Sequence, residues 1–157
     1  MQTIKKAIFC SALLFSAATV YAVDNGLAEK LQQQGVQVEA TDTLKLILPV
    51  DELFRFPSNT RLADTSQSNT LYQSAQLIRS YGNRLVTISG HTDNVGSDED
   101  KLKRSREQAE TVAAYFWAQG VPLRNIIVIG CGDTEPVSSN LTMAGSAANR
   151  RIEIEIQ

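Results

Sequence analysis

The segment from Arg84 to Gly120 reads RLVTISGHTDNVGSDEDKLKRSREQAETVAAYFWAQG and predicts a strand, a polar turn and a long helix. The strand is predicted over Arg84–Ser89, where apolar residues dominate, and Gly90–Asn94 form the turn that follows. The helix is predicted to begin near Asp98, because three consecutive acids favour a helix N-terminus. Apolar side chains then recur with the i, i+3, i+4, i+7 spacing of a core-facing stripe: Ala109, Val112, Ala113 and Phe116.

Further elements on both sides of this segment predict the order strand, helix, strand, helix, strand, strand. Strands are predicted at Val36–Glu39, at Leu44–Leu48, at Ile126–Ile129 as a buried strand, and at Arg150–Ile156. Helices are predicted over Asp24–Gln34 and Ser66–Tyr81, and loops over residues 49–66 and 130–145. Helices that connect neighbouring strands lie on one face of the sheet. The predicted fold class is therefore α+β, a two-layer βαβαββ sandwich with a mixed sheet and its helices on one face.

The first 22 residues have the layout of a targeting segment. Lys5 and Lys6 precede an uncharged apolar stretch, and Val20-Tyr21-Ala22 resembles a cleavage site. The stretch is short for a membrane-spanning helix, although a retained anchor is the alternative. Cys10 lies too early in the stretch, after bulky residues, for a lipoprotein cleavage site. We expect a signal peptide over residues 1–22, an N-terminal helix and lead-in over 23–42, and one domain over 43–157.

The composition excludes several classes of function. A length of 157 residues suits one domain, and 15 basic against 17 acidic residues provide no excess of positive charge for nucleic acid. One histidine excludes a multi-histidine zinc site. The chain has no nucleophile elbow, phosphate loop, dinucleotide fingerprint or Cys-x-x-Cys motif. We therefore expect a protein that is not an enzyme and holds no metal or cofactor, with His91 in a packing or hydrogen-bonding role and Cys131 as a small residue at a strand end.

Motifs within Gly90–Gly120 and near the C-terminus resemble the OmpA-like C-terminal domain family. The matching residues are Gly90-His91-Thr92-Asp93-Asn94, Gly96, Ser105, Ala109, Val112, Gly120, Pro122, Gly130, Gly132, Glu135-Pro136, Asn140 and Asn149-Arg150-Arg151. The resemblance extends over Leu44–Ile156. It implies the fold given above and a periplasmic domain, associated with the cell wall or the outer membrane, that binds peptidoglycan non-covalently. In this family the bound group is the diaminopimelate of the stem peptide, which carries an ammonium and a carboxylate.

The resemblance also implies the binding residues, with one departure. Asp93 matches the acid that takes the ammonium, but Gln108 occupies the position of the arginine that takes the carboxylate. Loss of that charged clamp would weaken binding by about 1.5–3 kcal/mol. Arg104, one helical turn earlier, or Arg151 could compensate. The alternatives are a solvated helix face for Arg104 and Lys101, and turn capping for Asp93. The predicted peptidoglycan-binding residues are Thr92, Asp93, Asn94, Arg104, Gln108 and Arg151.

The departure at Gln108 leaves a second function open. A shorter resemblance, to the OmpA-like subunit of type IVB (Dot/Icm) secretion systems, rests on Gly35-Val36-x-Val38, Leu48-Pro49, Asp51-x-x-Phe54, Gln108-Ala109 and Ala113–Trp117. It implies a structural subunit of an outer-membrane core complex, with a degenerate peptidoglycan site and protein partners. An exposed Trp117 would favour this function, because tryptophan is enriched at protein interfaces, whereas a buried one would be ordinary core.

Overall fold

The computed structural model of the protein describes residues 25–40, 43–54 and 65–157, which form helices around a mixed sheet. The strands are β1 (Gln37–Ala40), β2 (Leu44–Pro49), β3 (Val86–His91), β4 (Ile126–Gly130) and β5 (Arg151–Ile156). The helices are α1 (Asn25–Gln33), α2 (Val50–Leu53), α3 (Thr65–Ser80), α4 (Asp98–Ala118) and α5 (Met143–Asn149). A 3₁₀ turn, Leu123–Asn125, precedes β4. The predicted signal peptide over residues 1–22 lies outside the described residues.

The sheet has five strands in the order β1-β2-β5-β3-β4. Among the strands of the described residues, only β3 and β4 pair in parallel, and the other three pairs are antiparallel. The predicted α+β class with a mixed sheet is confirmed. The expectation that α3 joins neighbouring strands is wrong, however, because β5 lies between β2 and β3. The last strand of the chain is therefore central in the sheet.

Side-chain alternation divides the sheet into two faces. Leu46, Ile88 and Ile154 point to the face that packs with α3 and α4, and all three are fully buried. Residues of the opposite parity, such as Lys45 and Glu153, point to the other face. None of the helices in the described ranges is both long and apolar enough to cross a membrane.

Helix α4 lies directly against the carboxyl ends of β3 and β4 because those ends are glycines. A Cβ at Gly90 would collide with the carbonyl oxygen of Ser105, and one at Gly130 would lie 2.7 Å from the Cβ of Arg106. Ser105 is fully buried, and its hydroxyl accepts a hydrogen bond from the Gly132 amide at 3.0 Å. Ser97 caps the helix, since its side chain accepts from the Asp100 amide. These contacts fix the helix against the turn that follows β3.

Four local predictions differ from the structure. Residues 50–53 were predicted as loop but form α2, and β3 extends through His91 into the predicted turn. The predicted loop at residues 130–145 gives way to α5 at Met143, where the Thr142 side chain accepts from the Gly145 amide. Strand β4 is not buried: it is the edge strand, and Ile127 and Ile129 are about two-fifths exposed.

Candidate functional site

A cleft of about 300 Å³ lies at one end of the strands, where β2 and β3 end and β5 begins. Because β2 and β3 run in the same direction, the residues that follow them lie at the same end of the sheet. Helix α4 supplies another wall. The cleft is lined by Val50, Asp51, Phe54, His91, Thr92, Arg104, Gln108 and Arg150.

Arg150 connects two acidic residues at this cleft. Its Nη1 donates to Asp93 Oδ2 at 2.6 Å, while Nε and Nη2 donate to the two carboxylate oxygens of Asp51 at 2.8 and 2.5 Å. The hydrogen bonds to Asp51 and Asp93 raise the pKa of the Arg150 guanidinium against the opposing effect of burial. The fork geometry suits arginine, whose planar donors match a carboxylate in pairs.

Asp93 combines a local and a long-range role. Its Oδ1 accepts a hydrogen bond from the Val95 amide at 3.2 Å, the pattern by which short acids stabilise turns. Its Oδ2 accepts from Arg150, and the side chain is largely buried. Turn capping and charge pairing are therefore two functions of the same carboxylate. Asp93 lies behind Arg150 rather than in the cleft lining itself.

The α4 wall carries Arg104 and Gln108 one turn apart, and both line the cleft. Gln108 is only 1% exposed, whereas Arg104 is partly exposed. The Arg104 guanidinium reaches back toward the turn after Asp93, since Nη2 lies 3.8 Å from where a Cβ would sit at Gly96. Arg104 forms no ion pair with any acid in the described ranges. The buried hydroxyl of Thr92 likewise has no hydrogen-bond partner there.

Arg151, which was predicted as a possible compensating base, lies elsewhere, and so does Lys101. Arg151 is buried and does not line the cleft: its Nε donates to Glu153 at 2.7 Å and its Nη2 donates to the backbone carbonyl of Glu135 at 3.1 Å. Lys101 is also buried, and its Nζ donates to Asp133 at 2.6 Å. The alternative prediction, that Lys101 lies on a solvated helix face, is therefore wrong. Asn94 is exposed in the turn beside Asp93.

Comparison with known proteins places the chain in a family. The model of the OmpA family matches residues 55–150. The chain belongs to the OmpA family. It is 31% identical to the probable lipoprotein YiaD of Escherichia coli K12, over 83% of this chain and 59% of the relative. The chain spans about three-fifths of the length of the curated relatives it matches.

Two solved structures of related domains resemble this OmpA-family chain in fold and sequence. The cell wall anchor of the T6SS from Pseudomonas aeruginosa has a TM-score of 0.75 at 29% identity, covering 85% of this chain and 95% of that one. The peptidoglycan-associated lipoprotein from Burkholderia pseudomallei has a TM-score of 0.60 at 28% identity, covering 71% and 89%. The sequence-based family assignment is thus confirmed.

Sequence reasoning missed two central residues of the cleft in this OmpA-family domain, Arg150 and Asp51. Arg150 is the first arginine of Asn149-Arg150-Arg151, a motif that was noted, but only Arg151 was considered as a compensating base. Asp51 belongs to Asp51-x-x-Phe54, which was used only for the second resemblance. The signal was present in both motifs. The alternation of β5 could have distinguished the two arginines, because adjacent residues at a strand end point to opposite faces.

His91, which also lines the cleft, lies beside Cys131 and Glu135. One potential metal-ligating atom from each of the three residues lies within 4.8 Å of the others. Burial, followed by the positive charge of Arg151, lowers the pKa of His91, although Glu153 and Glu135 oppose the effect. Burial and then the two acids raise the pKa of the Cys131 thiol. The prediction for His91 therefore did not include two potential metal ligands, Cys131 and Glu135, which the fold brings next to it.

Proposed function

We propose that this domain associates non-covalently with peptidoglycan in the periplasm, as a non-catalytic binding module, and holds the stem-peptide diaminopimelate at the cleft beside Asp93. One observation carries the proposal: the cleft brings acidic and basic groups together, with Asp51, Arg150 and Arg104 in its lining and Asp93 directly behind Arg150. A zwitterionic ligand requires such a pairing of opposite charges. Two similar proteins, a peptidoglycan-associated lipoprotein and a cell wall anchor, support the same function.

The contacts of Arg150 indicate how the ammonium group would enter. Arg150 Nη1 donates to Asp93 Oδ2, while the other two donors hold Asp51. The ligand ammonium replaces Nη1 at Asp93, and Arg150 stays on Asp51. This exchange keeps both carboxylates paired, so that neither is left as a buried unpaired charge. Asp51 is about half exposed and can follow Arg150 when it shifts.

The ligand carboxylate would then lie against α4. Arg104 supplies the positive charge that Gln108 lacks, and the Gln108 amide can donate hydrogen bonds but carries no charge. Both side chains line the cleft, and Arg104 extends toward the turn that carries Thr92, Asp93 and Asn94. The buried Thr92 hydroxyl provides a further donor at the floor of the cleft. In this arrangement Arg151, which lies outside the cleft, acts only as a support of the neighbouring loop.

Sedimentation with insoluble peptidoglycan tests the proposal. The full chain is compared with Asp93→Asn, Gln108→Arg and the control Glu99→Gln, which removes an equal charge from an exposed position at the start of α4. We expect the wild type and the control to sediment and Asp93→Asn to remain largely in solution. If the wild type stays in solution and only Gln108→Arg sediments, the site is degenerate and peptidoglycan binding is not its function. Equal sedimentation of Asp93→Asn and the wild type would place binding outside this cleft.

A second function is favoured by one specific observation. Trp117 is 57% exposed on α4, and the large side chains of Leu102 and Ile129 are also exposed. Tryptophan is enriched at protein interfaces, so its exposure favours a protein partner. The alternative proposal is a structural subunit of an outer-membrane secretion core complex of the type IVB class, attached through this helix. In that case the chain would be retained by protein partners rather than by the cell wall.

A further inference from the structure

We propose that the sheet face that carries Lys45 and Glu153 contains a binding site for one thiophilic divalent cation of the zinc class, with His91, Cys131 and Glu135 as its protein ligands. His91 also lines the cleft, but none of the ligand atoms belongs to the Asp51–Arg150–Asp93 network, so this inference does not depend on the proposed peptidoglycan function. Three features carry the inference: the register that brings the ligands together, the burial of an unpartnered imidazole, and the donor chemistry.

The sheet register places the histidine and the cysteine side by side. In the parallel pair, Gly90 is opposite Gly130, so the next residues, His91 and Cys131, are neighbours that point to the same face. Two backbone hydrogen bonds continue this ladder past the strand ends: Cys131 N donates to Gly90 O at 2.9 Å, and Thr92 N donates to Gly132 O at 2.8 Å. The relative positions of two ligands are therefore fixed by the backbone.

The third ligand is held by the loop between β4 and α5. Arg151 Nη2 donates to the backbone carbonyl of Glu135. Fully buried Asn149 accepts from the amides of Val137 and Ser138 at 2.9 and 3.0 Å. These bonds bring Glu135 Oε2 to 3.9 Å from His91 Nδ1, although the carboxylate itself is 67% exposed. The backbone of this ligand is thus held in place while its side chain can still move.

His91 is the strongest sign of a missing ligand. It is 1% exposed, and neither ring nitrogen has a hydrogen-bond partner among the described residues. A buried imidazole normally hydrogen-bonds through both nitrogens, because a buried polar atom without a partner costs about 1–3 kcal/mol. The nearest acids lie at 3.9 Å from Nδ1 and 4.0 Å from Nε2, beyond hydrogen-bond distance. A cation bound at Nδ1 would satisfy the nitrogen that faces Glu135.

The donor set matches zinc in type, number and charge. Imidazole nitrogen, thiolate and carboxylate are its usual ligands, and three protein donors leave a fourth position for water. A thiolate and a carboxylate together balance the charge of a divalent cation. Zinc–ligand bonds of about 2.0–2.3 Å require the donors to approach to roughly 3.3–3.6 Å of one another. The present separations are within 4.8 Å, and the exposed Glu135 side chain can move to shorten its own distances to the other two donors.

An outer partner is also in place. Glu153 lies 4.0 Å from His91 Nε2. With a small adjustment its carboxylate can accept a hydrogen bond from the Nε2–H group, which would orient the ring. The charge of Glu153 is already compensated by Arg151 and by Lys45, whose Nζ donates to it at 3.1 Å. Hydrogen bonds from these two residues lower the pKa of Glu153 even though burial alone would raise it.

Titration with Co²⁺ alone tests the inference, because a thiolate-to-cobalt charge-transfer band in the near ultraviolet reports directly on cysteine ligation. The full chain is kept reduced with a non-chelating reductant, and Zn²⁺ is then added as a competitor. We expect one Co²⁺ per chain, a charge-transfer band with the visible spectrum of a tetrahedral site, and displacement by Zn²⁺. The absence of the band in the wild type overturns the proposal.

Matched variants assign the ligands. Cys131→Ser should abolish the band, whereas Cys10→Ser, which removes the other cysteine of the chain, should leave it unchanged. Glu135→Gln should weaken Co²⁺ binding at least roughly 10-fold, the lower end of what loss of an outer partner costs, and Glu99→Gln should not. A band that persists in Cys131→Ser, or unchanged affinity in Glu135→Gln, overturns the proposal. Glu135 is exposed, so its variant remains informative even if Cys131→Ser does not fold.

Discussion

Arg150 Nη1 lies 2.6 Å from Asp93 Oδ2, and the same guanidinium is bound by both oxygens of Asp51. One side chain thereby connects α2, the turn after β3 and the residue before β5, three regions that are distant in sequence. Arg150 stabilises the edge of the sheet and also carries one of the positive charges of the cleft. Variants of Asp51, Asp93 and Arg150 should therefore change both the free energy of unfolding and the affinity for the ligand. The ratio of the two effects should differ from one position to the next.

Replacement of Asp93 by asparagine should destabilise the protein by about 1–3 kcal/mol, the range for a hydrogen bond to a charged group and a buried polar atom left without its partner. Asp51→Asn should cost less, because Asp51 is about half exposed and water can replace the lost interaction. The free energy of unfolding is measured by urea denaturation.

The exposed control Glu99→Gln should change this free energy by no more than about 0.5 kcal/mol. In the Asp51→Asn/Asp93→Asn double variant, the losses should exceed the sum of the single ones, since each acid can retain Arg150 when the other is removed. Additive losses would show that the two acids do not share the guanidinium in solution.

Arg104 provides the second prediction, which concerns binding. Arg104→Gln should weaken peptidoglycan binding roughly 10- to 100-fold, as expected when a charged hydrogen bond worth about 1.5–3 kcal/mol is lost. The matched control is Lys103→Gln, an adjacent and exposed position that removes the same charge. Binding is measured by sedimentation at several protein concentrations.

The two variants should also differ in their response to salt. Raising the ionic strength screens the charged contacts of the cleft. Wild type and Lys103→Gln should therefore lose affinity in parallel, whereas Arg104→Gln should lose less, because one of those contacts is already gone. If Lys103→Gln and Arg104→Gln weaken binding equally, the effect is one of net charge, and Arg104 is not the partner of a ligand carboxylate.

The fold was predictable because its strongest patterns are local. Apolar residues recur every 3.6 positions on α4, from Ala109 to Phe116, and alternate strictly with charged ones along β5. Both patterns indicate which side chains are buried, and the structure confirms both. The insertion of β5 between β2 and β3 could not be read from these patterns, since alternation shows which face is buried but not which strand is the neighbour. The exposure of β4 was missed for the same reason: an apolar run does not distinguish an edge from a centre.

The candidate site was predictable only in part. Thr92, Arg104 and Gln108 line one cleft, as the family register implies, and Asp93 lies directly behind it. Arg150 was missed because its role depends on an ion pair across 57 positions of sequence. Such pairing is set by the sheet register and by the preceding helix, neither of which is visible in a single sequence.

Gly90 supports a third prediction, on packing. Gly90→Ala would bring a methyl group into the carbonyl oxygen of Ser105, so α4 would have to move away from β3. Overpacking of this kind costs about 1–3 kcal/mol and displaces backbone. Because the same helix carries Arg104 and Gln108, we expect Gly90→Ala to lower both the thermal midpoint and peptidoglycan binding. Ser89→Ala is the control, since Ser89 precedes Gly90 on the opposite face. A Gly90→Ala variant as stable as Ser89→Ala would contradict the close approach.

Trp117 distinguishes the two proposed functions, because it is the only tryptophan of the chain and is 57% exposed. It lies nine residues beyond Gln108 on α4, about 13 Å along the helix axis. If the cleft binds peptidoglycan, soluble stem-peptide fragments should leave the Trp117 emission spectrum and its quenching by acrylamide unchanged. Trp117→Ala should also sediment like the wild type and lose no more than about 0.5 kcal/mol of stability. An assembly through this helix would instead bury the indole, shift its emission to shorter wavelength as the protein concentration rises, and be lost in Trp117→Ala.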